Sequence, residues 1–206
     1  MADTSLYLTP NVLRESSTGI QAIPIRDELY ARREVECVGE IDERTTYSIC
    51  QQLRQLAHED PSEVITLFIN SPGGEITSGL AIYDVMQAIP CPVHTVCLGM
   101  AASMAALLLA AGDWRQLLPH ARVMLHDPRT THLEGDALAV SAASHQLMRT
   151  RDEIARIIAE HAHHDAREVL ETTRTDTWFD ADHAVAWGLA DEVITKLPIT
   201  RKEARR

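Results

Sequence analysis

The 206-residue chain has single-domain length and can bury a substantial core. Its 45% hydrophobic and 24% charged residues exclude a disordered chain, and with 4% aromatics the core must be filled by Ala, Leu, Val and Ile. A formal net charge of −11 argues against nucleic-acid and anionic-membrane surfaces.

Residues 1–25 are polar and broken by Pro10, Gly19 and Pro24, which predicts a mobile, irregular arm. Asp3 and the lack of an apolar run argue against a secretory signal. A single folded domain is expected over 26–196, with a basic tail at 197–206. Within it, a short helix over Arg26–Ala31 precedes a strand at Glu34–Val38. Asp42 suits the N-cap of a helix to about His58, which puts Ile49, Leu53 and Leu56 on one face. Val64–Ile69 is a near-continuous apolar run, as in a parallel strand covered on both faces. The turn Asn70-Ser-Pro-Gly-Gly74 leads into a helix over 76–88. Pro90 and Pro92 separate that helix from a strand at His94–Leu98, and Ala121–His126 reads as another strand. This alternation predicts an α/β fold with right-handed crossovers.

From Gly135 to about His163 runs a long amphipathic helix carrying Leu138, Leu147, Ile154, Ile157 and Ile158. It is too long and too polar to be buried in a monomer, so it is expected to project onto a helix of another subunit. Asp165 and Asp180 suit two further helix caps, Gly188 the end of the last helix, and Glu192–Thr195 a closing strand. Cys37, Cys50, Cys91 and Cys97 lack CxxC spacing and read as reduced structural residues, which fits a cytoplasmic protein. His161, His163, His164 and Asp165 crowd one helix end, but no further ligand is positioned, so no metal and no cofactor are expected.

The chemistry centres on Thr95–Gly112. It is uncharged throughout, yet Gly99 and the change of pattern favour a strand followed by a buried Ala/Leu helix over a membrane span. Ser103 is the only hydroxyl between the ends of this run and falls where strand gives way to helix. Unpaired N–H groups at such a junction suit a nucleophile whose reaction develops an oxyanion. Gly73-Gly74, Ser103 and His126 all fall at carboxyl ends of predicted strands, where sheets of this kind carry their sites. His126 is the candidate base for Ser103, and the double glycine lets backbone N–H groups approach a substrate. Spacing does not choose the orienting carboxylate among Asp127, Asp165, Asp176 and Asp180.

Asn70-Ser-Pro-Gly-Gly74, Ala81-Ile-Tyr-Asp84, Gly99-Met-Ala-Ala-Ser-Met104, Leu109-Ala-Ala-Gly112, Val123-Met-Leu-His-Asp-Pro128 and Trp187-Gly-Leu-Ala-Asp-Glu-Val193 together resemble ClpP, the proteolytic subunit of the ATP-dependent Clp proteases. The resemblance spans about Thr9 to Val193. It implies a ClpP/crotonase-like fold of stacked β/α units with a projecting handle helix, here the helix after Gly135. It further implies Ser103 as nucleophile, His126 as general base and Asp176 as the third member of the triad. The backbone N–H groups of Gly74 and Met104 become the oxyanion donors, and Gly73 a lining residue. The implied assembly is a barrel of two stacked heptamers. It would take unfolded polypeptides from an AAA+ Clp unfoldase and have no nucleic-acid or membrane partner.

The chain departs from the family in three places. After His126 it reads Asp127-Pro-Arg-Thr-Thr131, so Arg129, Thr130 and Thr131 are expected to narrow or re-aim the substrate groove. Arg174-Thr175 replaces the family's Asp-Arg pair, and Gln116 stands at an often aromatic position of the unfoldase-docking surface. These changes imply an atypical paralogue, weakly active alone and working in a mixed ring with a second ClpP. The alternatives are a non-catalytic structural ring subunit and a crotonase-like acyl-CoA enzyme.

Overall fold

The computed structural model describes residues 10–17, 19–130 and 135–197. It begins with an antiparallel hairpin, β1 (Asn11–Ser16) and β2 (Gly19–Pro24). This corrects the expectation of an irregular segment over those residues. α1 (Ile25–Tyr30) and β3 (Glu34–Val38) follow. Between them Arg33 takes φ +62° and buries its guanidinium, which donates to the carbonyls of Leu56, Asp60, Glu63 and Val64. One cation thus satisfies carbonyls around the end of α2 (Glu43–Glu59) and the approach to β4 (Ile65–Ser71). At its other end α2 starts as the sequence predicts, with Asp42 accepting from the Thr45 N–H at 2.7 Å. Ile49, Leu53 and Leu56 form its buried face.

The main sheet runs β3-β4-β5-β6-β9, all parallel, built on β5 (Val93–Ala102), β6 (Trp114–Leu117) and β9 (Glu192–Val193). The apolar run in β4 is buried at Ile65, Leu67, Phe68 and Ile69, as a strand covered on both faces requires. α3 (Ile76–Ala88) leads into β5 and α4 (Met104–Ala110) leads out of it; every residue of α4 is buried. Burial of its three leucines stabilises the fold by about 1.5–3 kcal/mol each. Between β6 and β9 the chain forms β7 (Arg122–Leu125), α5 (Ala137–Ala162), α6 (Ala166–Thr172), β8 (Thr177–Asp180) and α7 (Ala181–Ala186). β8 lies antiparallel on β7. Asp165 and Asp180 cap α6 and α7 as expected.

β5 changes neighbour part-way along. Residues His94–Cys97 pair with β6, and Met100–Ala102 pair with β7. Its register with β4 shifts at the same place, and Gly99 lies against Asn70. A Cβ on Gly99 would come 2.9 Å from Asn70 Oδ1, which accepts from the Met100 N–H at 3.1 Å. The irregularity carries β5 from one partner to the other and sets its last residue beside the end of β7.

α5 buries only its C-terminal half, through Ile154, Ala155, Ile158, Ala159 and Ala162. No residue from Ala137 to Glu153 is buried, and Leu138 is 81% exposed. Gln116 is buried on β6 and donates to Glu192 Oε1 at 2.7 Å. Among the described residues no helix is long and apolar enough to cross a membrane.

Candidate active site

Ser103 sits between β5 and α4 with φ +56°, one of three non-glycine residues in that region among those described. Such a conformation costs about 1–2 kcal/mol and persists only where the surroundings enforce it. Two sets of bonds enforce it here. The Ser103 N–H donates to the Met124 carbonyl of β7 at 2.9 Å, and the Ser103 carbonyl accepts from Ala106 and Leu107 to start α4. A sharp turn between a sheet and a buried helix lifts its side chain out of both packed layers.

Gly73 packs directly on this turn. A Cβ there would lie 2.6 Å from the Ala102 carbonyl, 2.8 Å from Ser103 Cβ and 3.1 Å from the Met104 nitrogen, and its φ of +90° disfavours any side chain. Ser71 Oγ accepts from the Gly73 N–H at 3.0 Å and fixes the turn. The Gly73 carbonyl accepts from Ile41 N–H at 2.8 Å, and the peptide is trans. The N–H of Gly74 therefore points away from Ile41. Gly74 is itself pressed on Ile41, where a Cβ would fall 2.1 Å from the carbonyl oxygen. The Met104 N–H opens α4 and has no intrahelical acceptor. Both expected oxyanion donors thus belong to rigidly held peptides.

His126 follows β7 and shares a cleft with Ser103. Ile76, Met104, Leu125, Pro128, Ile154 and Ile158 make the remaining wall. Burial in this apolar cleft pushes the imidazole pKa below its ordinary 6.5; the Arg129 cation pushes the same way, while Asp176 and Asp127 oppose. The ring is therefore neutral at neutral pH, the state a general base needs. No hydrogen bond joins it to Ser103, and its Nδ1 is buried with no partner among the described residues.

The carboxylates separate by their bonds. Asp127 accepts from Arg151 Nε at 2.7 Å and Thr173 Oγ1 at 2.6 Å, and its N–H donates to the Thr173 carbonyl. It anchors the loop after β7 to α5 and to the end of α6. Asp165 and Asp180 are consumed as helix caps. Asp176 lies within electrostatic reach of His126, but its carboxylate is paired with Arg129. Ser103 and His126 are therefore brought together, while the Asp176 carboxylate is turned to a cation. Thr130 is exposed beside this pair, and Thr131 lies outside the described residues.

Sequence reasoning missed the apolar wall of the cleft. Ile154 and Ile158 are legible as the inner face of α5, but only the packing of α5 against α4 turns that face into a site wall. Among the described residues no group of His, Cys, Asp or Glu is disposed to hold a metal. His161 instead meets Tyr83 edge-on, and His164 stacks on Trp187 at 4.2 Å between ring centroids.

A family model described as Clp protease matches residues 17–197.

Proposed function

Since the chain belongs to the Clp protease family, we propose that it is the peptidase subunit of a Clp-type serine endopeptidase, with Ser103 as nucleophile and His126 as general base. The observation that carries this reading is the enforced φ of Ser103, which holds its hydroxyl at the cleft shared with a neutral imidazole. The family implies peptidase activity, and its members generally form ring oligomers that work with Clp unfoldases.

In the proposed reaction Ser103 Oγ attacks the peptide carbonyl while His126 Nε2 takes the hydroxyl proton. The tetrahedral oxyanion is held by the N–H groups of Gly74 and Met104. Collapse transfers the proton from Nε2 to the departing amine and leaves an acyl ester on Ser103. Water, deprotonated by the same nitrogen, then hydrolyses the ester. Asp176 would accept from Nδ1–H, fix the tautomer and stabilise the imidazolium. Gly73 would line the site, and Arg129 and Thr130, which follow His126 in the chain, would narrow or re-aim the substrate groove. The apolar wall of Ile76, Ile154 and Ile158 suits an uncharged substrate side chain.

The test is labelling with a fluorophosphonate. Incorporation at Ser103, lost in Ser103→Ala together with hydrolysis of a short fluorogenic peptide, is the expected result. Peptide hydrolysis that survives the substitution overturns the reading.

A second reading makes this a cytoplasmic subunit that is weakly active alone and completed in a mixed ring with another ClpP. The pairing of Asp176 away from His126 favours it. Mixing the pure protein with a second ClpP, and measuring native mass and peptide turnover together, checks this reading. Brisk turnover by the chain alone would end it.

A further inference from the structure

We propose that Arg129 is an internal latch on the active site: it competes with His126 for the Asp176 carboxylate, and the triad closes only when the guanidinium lets go. The inference rests on the serine-protease reading above and adds a regulatory contact special to this chain. Three observations carry it. The Arg129 guanidinium is paired with Asp176. His126 Nδ1, the atom such a carboxylate would bind, is buried and unpartnered among the described residues. Every other carboxylate weighed for the role is committed, Asp127 to Arg151 and Thr173, and Asp165 and Asp180 to their caps.

A buried ring nitrogen without a hydrogen-bond partner is unfavourable, so the latched state leaves a standing drive toward closure. The opposing pair is weak by location. The Arg129 and Asp176 side chains are 64% and 43% exposed, and an exposed ion pair contributes little against solvent and salt. The two states are therefore close in energy, and any contact that draws Arg129 away favours closure. A carboxylate on the bound polypeptide, or one presented across a subunit contact, has the charge to do so. Arg129 lies three residues beyond His126, on the chain that Asp127 pins to α5 and α6. Its side chain is exposed, so its release disturbs no buried packing.

Among the described residues, the charged groups facing the His126 ring are Arg129 and Asp127 from its own loop and Asp176 from the segment before β8. The other elements walling the cleft offer Ile76, Met104, Ile154 and Ile158, none ionisable. Asp127 stays on Arg151 in either state. Release of the latch therefore removes one cation and brings one anion to Nδ1, and both changes raise the affinity of the ring for a proton.

The experiment compares the full chain with Arg129→Gln, a change at an exposed position that leaves the core intact. Peptide turnover at neutral pH is expected to rise about tenfold or more, the orienting carboxylate being worth up to about 10⁴ in such triads. The acid limb of the pH–rate profile should move to higher pH, and the 13Cε1 resonance of His126, assigned by its loss in His126→Gln, should titrate at higher pH. Adding Asp176→Asn to Arg129→Gln should cancel both effects, which a merely structural role for Arg129 would not produce. Turnover that stays flat or falls in Arg129→Gln, or an acid limb that does not move, overturns the latch. Failure of the serine-protease reading looks different: neither protein is labelled at Ser103, while the histidine titration still reports whether Arg129 holds the carboxylate.

Discussion

Gly73 and Ser103 illustrate how little freedom the residues of this site have. Gly73→Ala would drive a methyl into the Ala102 carbonyl and Ser103 Cβ at a φ of +90°. We expect loss of nearly all peptidase activity with a stability cost of about 1–3 kcal/mol, read by turnover and urea denaturation; a fully active Gly73→Ala would refute the packing. His126 supplies a pH prediction. Its pKa is held below 6.5 by burial first and the Arg129 cation second, so protonation is delayed as pH falls. The acid limb of kcat/KM should therefore lie below pH 6.5, and a limb above that value would contradict the site electrostatics. Of these residues, Ser103 and His126 were legible as chemistry because each falls at the end of a recognisable strand. The partner of Asp176 was not legible, because a salt bridge between residues 129 and 176 leaves no periodic trace in sequence.

Whole elements are tied together by two buried cations that composition gives no reason to single out. Arg33 joins the turn before β3 to the end of α2 and the approach to β4. Arg115 on β6 donates to Asp191 and to the carbonyls of Ala110, His161 and Gly188, binding the ends of α4 and α5 to the chain after α7. Its side chain is 10% exposed and that of Asp191 23%, so Arg115→Ala would leave several buried carbonyls and a partly buried carboxylate without their donor. We expect a loss of about 3–5 kcal/mol in denaturant unfolding, and a change under 1 kcal/mol would show the network to be ornamental. α2, with its Asp42 cap and apolar face, matches its sequence signal closely, and α3, which has no side-chain cap, still keeps the bounds set by the glycine turn before it and the prolines after it. β6 and β8 were missed because each is four residues long and gains its identity from pairing with β5 or β7, not from alternation. The β1–β2 hairpin was missed for a related reason: Leu13 and Ile20 remain 70% and 72% exposed, so burial imposes no period on it.

At the scale of the molecule the exposed half of α5 is the surface on which the proposed assembly would act. If rings meet through this helix, Leu138→Asp with Met148→Asp should shift native mass from a double-ring species to a smaller one, while the buried face at Ile154 and Ile158 keeps each subunit folded. An unchanged mass would remove α5 from the contact. The amino-acid order alone determined the α/β class, the helices with caps and apolar stripes, and a serine and a histidine at strand ends, because these depend on contacts within a few residues. Only the tertiary structure decided that β5 swaps β6 for β7, that Ile154 and Ile158 wall the cleft, and that Asp176 faces Arg129 in place of His126. Those outcomes depend on which distant groups meet in space, and on which of two charged or polar partners holds a carboxylate once they do.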